Sequence, residues 1–136
     1  MWWKASLVLG LAVGVLGCGV TTPNPKRVIE RPRVQNELAQ IGVAYMTCAV
    51  DNPPRKIEDL MPFLENNPKI EKLLRDGAIV VIWGVRPSQV ANSSETILAY
   101  EKDPDDKGTR VILMADTSVK TMSNDEFQKA PKAKGN

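Results

Sequence analysis

The chain of 136 residues contains no histidine. That absence excludes a serine–histidine–aspartate triad and a cysteine–histidine pair, because both need an imidazole base. It also excludes zinc or copper sites built on histidine. Cysteine is scarce: Cys18 and Cys48 are the two in the whole chain, too few for a thiolate metal site. Charge of one sign is lacking as well, with 18 Lys and Arg against 16 Asp and Glu. Without a concentrated basic face, nucleic acid is not an expected partner. No apolar run reaches the roughly 20 residues that a membrane-spanning helix needs. No phosphate-binding glycine loop is present, since Gly10, Gly14, Gly17 and Gly19 all fall in the apolar N-terminal stretch. No internal repeat is visible.

That N-terminal stretch is the most informative part of the chain. Met1-Trp2-Trp3-Lys4 is short and positively charged, and Ala5–Gly17 is an apolar run of thirteen residues without a charge. As a helix it would extend roughly 20 Å, too short to span a bilayer but suited to the core of a secretion signal. Lys4 and the free amine keep the start on the cytoplasmic side. An ordinary secretion signal ends at an A-x-A-like site. Here Leu16-Gly17-Cys18 instead resembles the lipobox of bacterial lipoproteins. The resemblance implies that residues 1–17 are a leader cut before Cys18. It implies further that Cys18 carries a diacylglyceryl thioether and that its new amine is acylated. Each buried methylene adds about 0.8 kcal/mol, and two or more chains anchor stably where one does not. The alternative is that Cys18 is simply an apolar residue of an ordinary leader or of a membrane helix. The residue after the cysteine is Gly19, not the aspartate that commonly signals inner-membrane retention in proteobacterial lipoproteins. The expected location is therefore the cell envelope, with the outer membrane favoured over the inner.

Residues 18–33 read as the lipidated cysteine and a basic, proline-rich tether. Pro23, Pro25 and Pro32 favour extended conformations and resist helix formation. Lys26, Arg27, Arg31 and Arg33 outnumber Glu30. Such a stretch either lies against anionic headgroups, at about 1 kcal/mol per charge, or serves as a solvated spacer. Cutting before Cys18 leaves 119 residues, enough for one compact domain with a core that needs no disulfide. With Cys18 lipidated, Cys48 is the only free thiol.

Val34, Leu38, Ile41, Tyr45 and Cys48 are spaced 4, 3, 4 and 3, which predicts an amphipathic helix over Arg33–Val50. Asp51-Asn52-Pro53-Pro54 stops it. Ile57–Leu64 predicts a short helical turn interrupted or restarted at Pro62. Asn67-Pro68 predicts an N-cap followed by proline at the first helical position. Asp76-Gly77 ends that helix. Ala78–Val85 predicts a buried strand, Arg86–Ser94 a polar loop, and Thr96–Lys102 a second strand. A turn at Asp103–Gly108 leads to strands over Arg110–Ala115 and Val119–Met122. Ser123-Asn124-Asp125-Glu126 matches a capping box opening a terminal helix that Pro131 ends. The expected fold is α+β, with the N-terminal amphipathic helix packed on a three- to four-stranded antiparallel sheet. Short helices lie between them and a short helix follows. The domain occupies 34–130, and 131–136 is expected to be a disordered tail.

The phrases Gln35–Tyr45, Pro53-Pro54 and Glu58–Leu64 resemble the helix and following loop of type IV pilin-like and pseudopilin-like head domains of Planctomycetes-type bacteria. Ile97–Lys102, Val111–Asp116 and Val119-Lys120 are similar to the sheet ending of the same group. The resemblance covers about residues 34–128. It implies a head domain that makes protein–protein contacts. The chain departs from the group in three ways: a lipobox replaces the pilin cleavage site, Thr117 stands where a glycine follows the aspartate, and the closing histidine is missing.

Other chemistry is thinly represented. Cys48 on the apolar stripe is either a buried structural thiol or a reactive one. Asp103, Asp105 and Asp106 with Gly108 are either a solvated turn or a weak cation site. Lys107 and Met114 occupy positions where a calcium loop needs oxygen ligands. Glu58, Asp59, Glu101 and Asp116 could supply paired carboxylates only if the fold brought two of them across a cleft. Asp116 is better suited to capping a turn. Trp83 is either core packing or an exposed contact for a ligand or partner. No catalytic residue, cofactor or metal is expected. The leading expectation is a non-enzymatic, lipid-anchored envelope protein that binds an envelope partner or itself. The alternative is a binding module for a small ligand or glycan, using the Arg86–Ser94 loop and the Asp103–Gly108 turn. A hydrolase using carboxylates is a third.

Overall fold

The computed structural model describes residues 25–136, with side chains from Val34 onward. The leader, Cys18 and the first part of the tether lie outside the described residues. The fold is α+β: a long helix α1 (Pro25–Ala49), a short α2 (Ile57–Leu60), a 3-10 turn (Met61–Leu64) and α3 (Pro68–Arg75) precede the sheet. Strands β1 (Ile79–Val81), β2 (Ile97–Glu101), β3 (Thr109–Met114) and β4 (Val119–Ser123) follow, and α4 (Asn124–Lys129) comes after them. The strands pair antiparallel in the order β1-β2-β3-β4.

The stripe on α1 supplies one half of the core. Leu38, Ile41 and Tyr45 are fully buried against Leu98, Ala99, Val111, Leu113 and Ala115 of the sheet. Gly42 lets the helix approach closely, since a Cβ there would lie 2.9 Å from a Leu113 methyl. Ile97, Ile112 and Met114 face the other way and are covered by Phe127 of α4. β3 is thus buried on both faces, which is why its run Val111–Ala115 is apolar without alternation. A register shift between Ile97 and Ala99 lets both Leu98 and Ala99 reach the α1 side.

Local signals set most element ends. The Asn67 side chain accepts from the Lys69 amide at 3.0 Å with Pro68 opening α3, and Gly77 takes φ +74° beyond its end. Ser123 and Glu126 form the reciprocal capping box at the start of α4. Phe127 is held in place by Tyr100 at 4.8 Å between ring centroids. The Arg110 and Lys132 cations lie 4.6 and 4.3 Å from its ring centre.

Three expectations require correction. First, α1 begins at Pro25 rather than Arg33, so part of the expected extended tether is helical. Proline is tolerated at the first helical position, and each residue added to a helix nucleated by packing gains one hydrogen bond. Running through Pro32 forgoes one such bond.

Second, β1 stops at Val81, four residues short of the expected Val85. The chain turns at Trp83-Gly84, with Gly84 at φ +75° and its amide donating to the Pro54 carbonyl at 2.8 Å.

Third, residues 131–136 are ordered, and the second correction explains this. In the β1–β2 register Val81 faces Ala99, so Trp83 would face Ile97 had β1 continued. Lys132 takes that place in a parallel bridge to Ile97. The Ile97 amide donates to the Pro131 carbonyl and the Ala133 amide to the Ile97 carbonyl, both at 2.9 Å. Ala133 is buried and the Asn136 amide donates to the Gly84 carbonyl. The segment is a backbone strap beside a shortened strand. Gly135 is essential to it, because a Cβ there would collide with the Trp83 carbonyl oxygen. Gly135→Ala is expected to loosen the strap and lower stability by about 1–3 kcal/mol in urea melts. The Ala133 and Asn136 amides should then lose hydrogen-exchange protection. Unchanged protection would show that the strap does not depend on this close approach.

Candidate functional site

The residues weighed for chemistry are scattered, and the structure gives them local partners. Glu58 pairs with Arg75 at 3.1 Å on the surface, and Asp59 accepts from the Arg55 amide at 3.0 Å. Glu101 accepts from the Val111 amide at 3.2 Å. Asp116 caps the β3–β4 turn, accepting from the Ser118 amide at 2.9 Å and from its hydroxyl. Those bonds hold its carboxyl below the usual range. Thr117 in that turn adopts φ +73°, the left-handed conformation that glycine would take without strain.

In the Asp103–Gly108 turn, Asp105 Oδ1 is already the acceptor for the Lys107 and Thr109 amides and the Thr109 hydroxyl. Among the described residues no three His, Cys, Asp or Glu gather as metal ligands. The Arg86–Ser94 loop and the Asp103–Gly108 turn lie at opposite ends of β2, about 17 Å apart at 3.3 Å per residue. They do not line one site.

Cys48 is half-buried, with its sulfur 3.5 Å from the Asn52 carbonyl oxygen and 3.7 Å from that of Asp59. Burial raises its pKa first, and the Asp59 and Asp51 charges raise it further. A thiol kept protonated in this way is a poor nucleophile. Trp83 is half-buried and stacks on Tyr45, with ring centroids 6.5 Å apart and planes at 19°. It packs as part of the core margin.

The feature that stands out is the outward face of α1. Among exposed large apolar residues, Val43 is 65%, Met46 37% and Val50 78% accessible. With exposed Ala39 they are spaced 4, 3 and 4, a second stripe on the side away from the sheet that ends at Val50, just past the last residue of the helix. Phe63, 45% accessible, stands beside Val43. An open hollow of about 700 Å³ lies there, lined among others by Ala39, Val43, Phe63, Leu64 and Pro68. The remaining exposed residues of this stretch are Gln35, Asn36, Gln40 and Thr47, so no charge points outward between Val34 and Val50. The one charged residue in the stretch, Glu37, is buried. By contrast, α3 exposes Lys69, Lys72 and Arg75.

The stripe is bordered by Gln35, Asn36, Gln40 and Thr47, while Glu65 and Asn67 line the hollow beside it. Exposed apolar patches depleted of charge are a common feature of protein interfaces. Among the described residues no helix is long and apolar enough to cross a membrane. No protein-family model matches the chain, and neither a curated protein nor a solved structure matches it.

Proposed function

We propose that this chain is a lipid-anchored protein of the cell envelope whose α+β head makes protein–protein contacts and catalyses no reaction. The observation that carries the reading is the outward side of α1 from Val34 onward, which exposes no charged residue and leaves Val43, Met46 and, just past the helix end, Val50 uncovered. The leader and Cys18 support the anchor, and the pilin-like phrases between residues 34 and 128 support a head built for contacts. The candidate carboxylates engaged by their neighbours leave the hydrolase reading without a paired site. The outer membrane remains the favoured location because Gly19 follows Cys18.

The anchor is tested by phase partition in a cloud-point detergent after expression of the full chain in a bacterial host. The parent chain should enter the detergent phase, and Cys18→Ser should move to the aqueous phase because it offers no thioether. Full detergent partition of Cys18→Ser would contradict the anchor.

A further inference from the structure

Four arginines have side chains within the described residues, and they are of two kinds. Arg75 pairs with Glu58 and Glu71, and Arg110 donates to the Lys102 carbonyl and to the Asn124 side chain. The guanidinium groups of Arg55 and Arg86 have no ion pair or hydrogen bond among the described residues. These two, far apart in sequence, line one hollow of about 610 Å³.

Backbone contacts bring the two arginines to the same place. Gly84, just upstream of Arg86, donates its amide to the carbonyl of Pro54, the residue before Arg55, at 2.8 Å. The Arg55 amide is held by the Asp59 carboxylate at 3.0 Å, and the Val85 amide by the Tyr45 hydroxyl at 3.0 Å. Pro54 and Pro87, which flank the arginines, are both buried. Each arginine therefore leaves a fixed base, which lowers the cost of ordering it around a ligand.

We propose that this hollow binds a small hydroxyl-bearing anion whose carboxylate or phosphate oxygens are taken by Arg55 and Arg86. A guanidinium presents a planar fork of donors that matches either oxyanion. The one acidic side chain on the lining is Asp59. Its Oδ2 accepts from the Arg55 amide, which leaves Oδ1 as an acceptor for a ligand hydroxyl. Asn52 adds a side-chain amide that can donate or accept, and Pro53 and Pro54 supply apolar wall for the carbon body of the ligand. The Arg86–Ser94 loop thus contributes its first residue to a site completed by the segment after α1, not by the Asp103–Gly108 turn. The lining shares no residue with the hollow beside Val43, so binding here does not depend on the contact surface of α1.

The experiment is a nuclear magnetic resonance titration of the full chain, labelled with nitrogen-15 and purified in a non-ionic detergent. The probes are glucuronate, glucose 6-phosphate and glucose at constant ionic strength. They share one sugar ring and differ in the group at its sixth carbon. At least one of the two anions should give saturable shifts at the amides of Arg55, Gly84 and Arg86. Glucose should bind about tenfold more weakly or not at all, as expected when charge-assisted hydrogen bonds are lost. The anion that shifts these amides identifies the group bound as carboxylate, phosphate or either. Arg55→Ala and Arg86→Ala should each weaken binding about tenfold, while keeping the melting temperature of the parent, since neither side chain is buried. Arg75→Ala should leave the affinity unchanged.

Absence of saturable shifts with both anions overturns the site, as does equal binding of glucose. Shifts confined to the basic residues between 26 and 33 overturn it too, because they would report attraction to the charge of that stretch alone. Undiminished binding by the chain carrying both Arg55→Ala and Arg86→Ala has the same consequence.

Discussion

Ile41→Asp should abolish the cooperative thermal melt of the chain. Ile41 is fully buried between α1 and the sheet, with Leu38 and Tyr45 on its own stripe. A carboxylate there has no partner, and removing the isoleucine also leaves a cavity. Together these cost about 4–5 kcal/mol or more, comparable to the whole stability of a small domain. Val43→Asp introduces the same charge two residues away on the outward stripe, where 65% of the residue is accessible. That change should move stability by no more than about 0.5 kcal/mol. Circular-dichroism melts of the two variants separate the two faces of α1 directly. A cooperative melt of Ile41→Asp close to that of the parent would mean that the inner stripe is not the core.

Tyr45→Phe is the second large effect, and its origin is polar. The Tyr45 hydroxyl donates to the Ile82 carbonyl at 2.9 Å and accepts from the Val85 amide at 3.0 Å. One side chain on α1 therefore clamps both sides of the Trp83-Gly84 turn. Phenylalanine keeps the ring and strands both backbone groups, which costs about 1–3 kcal/mol. The same hydroxyl has its pKa pushed up to about 12, chiefly by burial, with the Val85 bond opposing and Cys48 adding slightly.

The sign of the pH effect follows. In the unfolded chain a tyrosine loses its proton near pH 10, while in the folded chain Tyr45 keeps it. Between about pH 10 and 12 the folded state holds more protons, so rising pH favours unfolding. The contribution is fully present below pH 10 and falls by up to about 1.4 kcal/mol per pH unit above it. Urea midpoints at pH 8 and across the alkaline range should drop more steeply for the parent than for Tyr45→Phe. Equal slopes would show that the hydroxyl is not held in this buried position.

The same clamp shows where sequence reasoning reaches its limit. Ala78–Val85 reads as one strand because seven of its eight residues are apolar and most are β-branched or aromatic. The break at Trp83-Gly84 is imposed by a hydroxyl 40 positions away and by a strap from the far end of the chain. Neither leaves a mark at Ala78–Val85 itself, apart from Gly84. The strap was equally hidden: Lys132–Asn136 is polar and short, and its docking is made by backbone amides and by Gly135 lying against a carbonyl.

Signals confined to one turn were legible. Asn67-Pro68, the Ser123–Glu126 box and the Asp116 cap appear where their spacing placed them, because each needs only neighbours within a few residues. The inner stripe of α1 was legible for the same reason, being a periodicity of one helix. The outward stripe obeys the same periodicity, yet it becomes visible only once the sheet is known to occupy the other side.

The central claim is that the outward face of α1 is a protein contact surface. It is tested most directly by placing a photoreactive benzoylphenylalanine at Val50 or at Lys72 in the full chain and irradiating intact cells. Val50 should yield a product of higher mass in good yield, and Lys72 little or none. Products of equal yield from both positions, or none from Val50, would contradict the account.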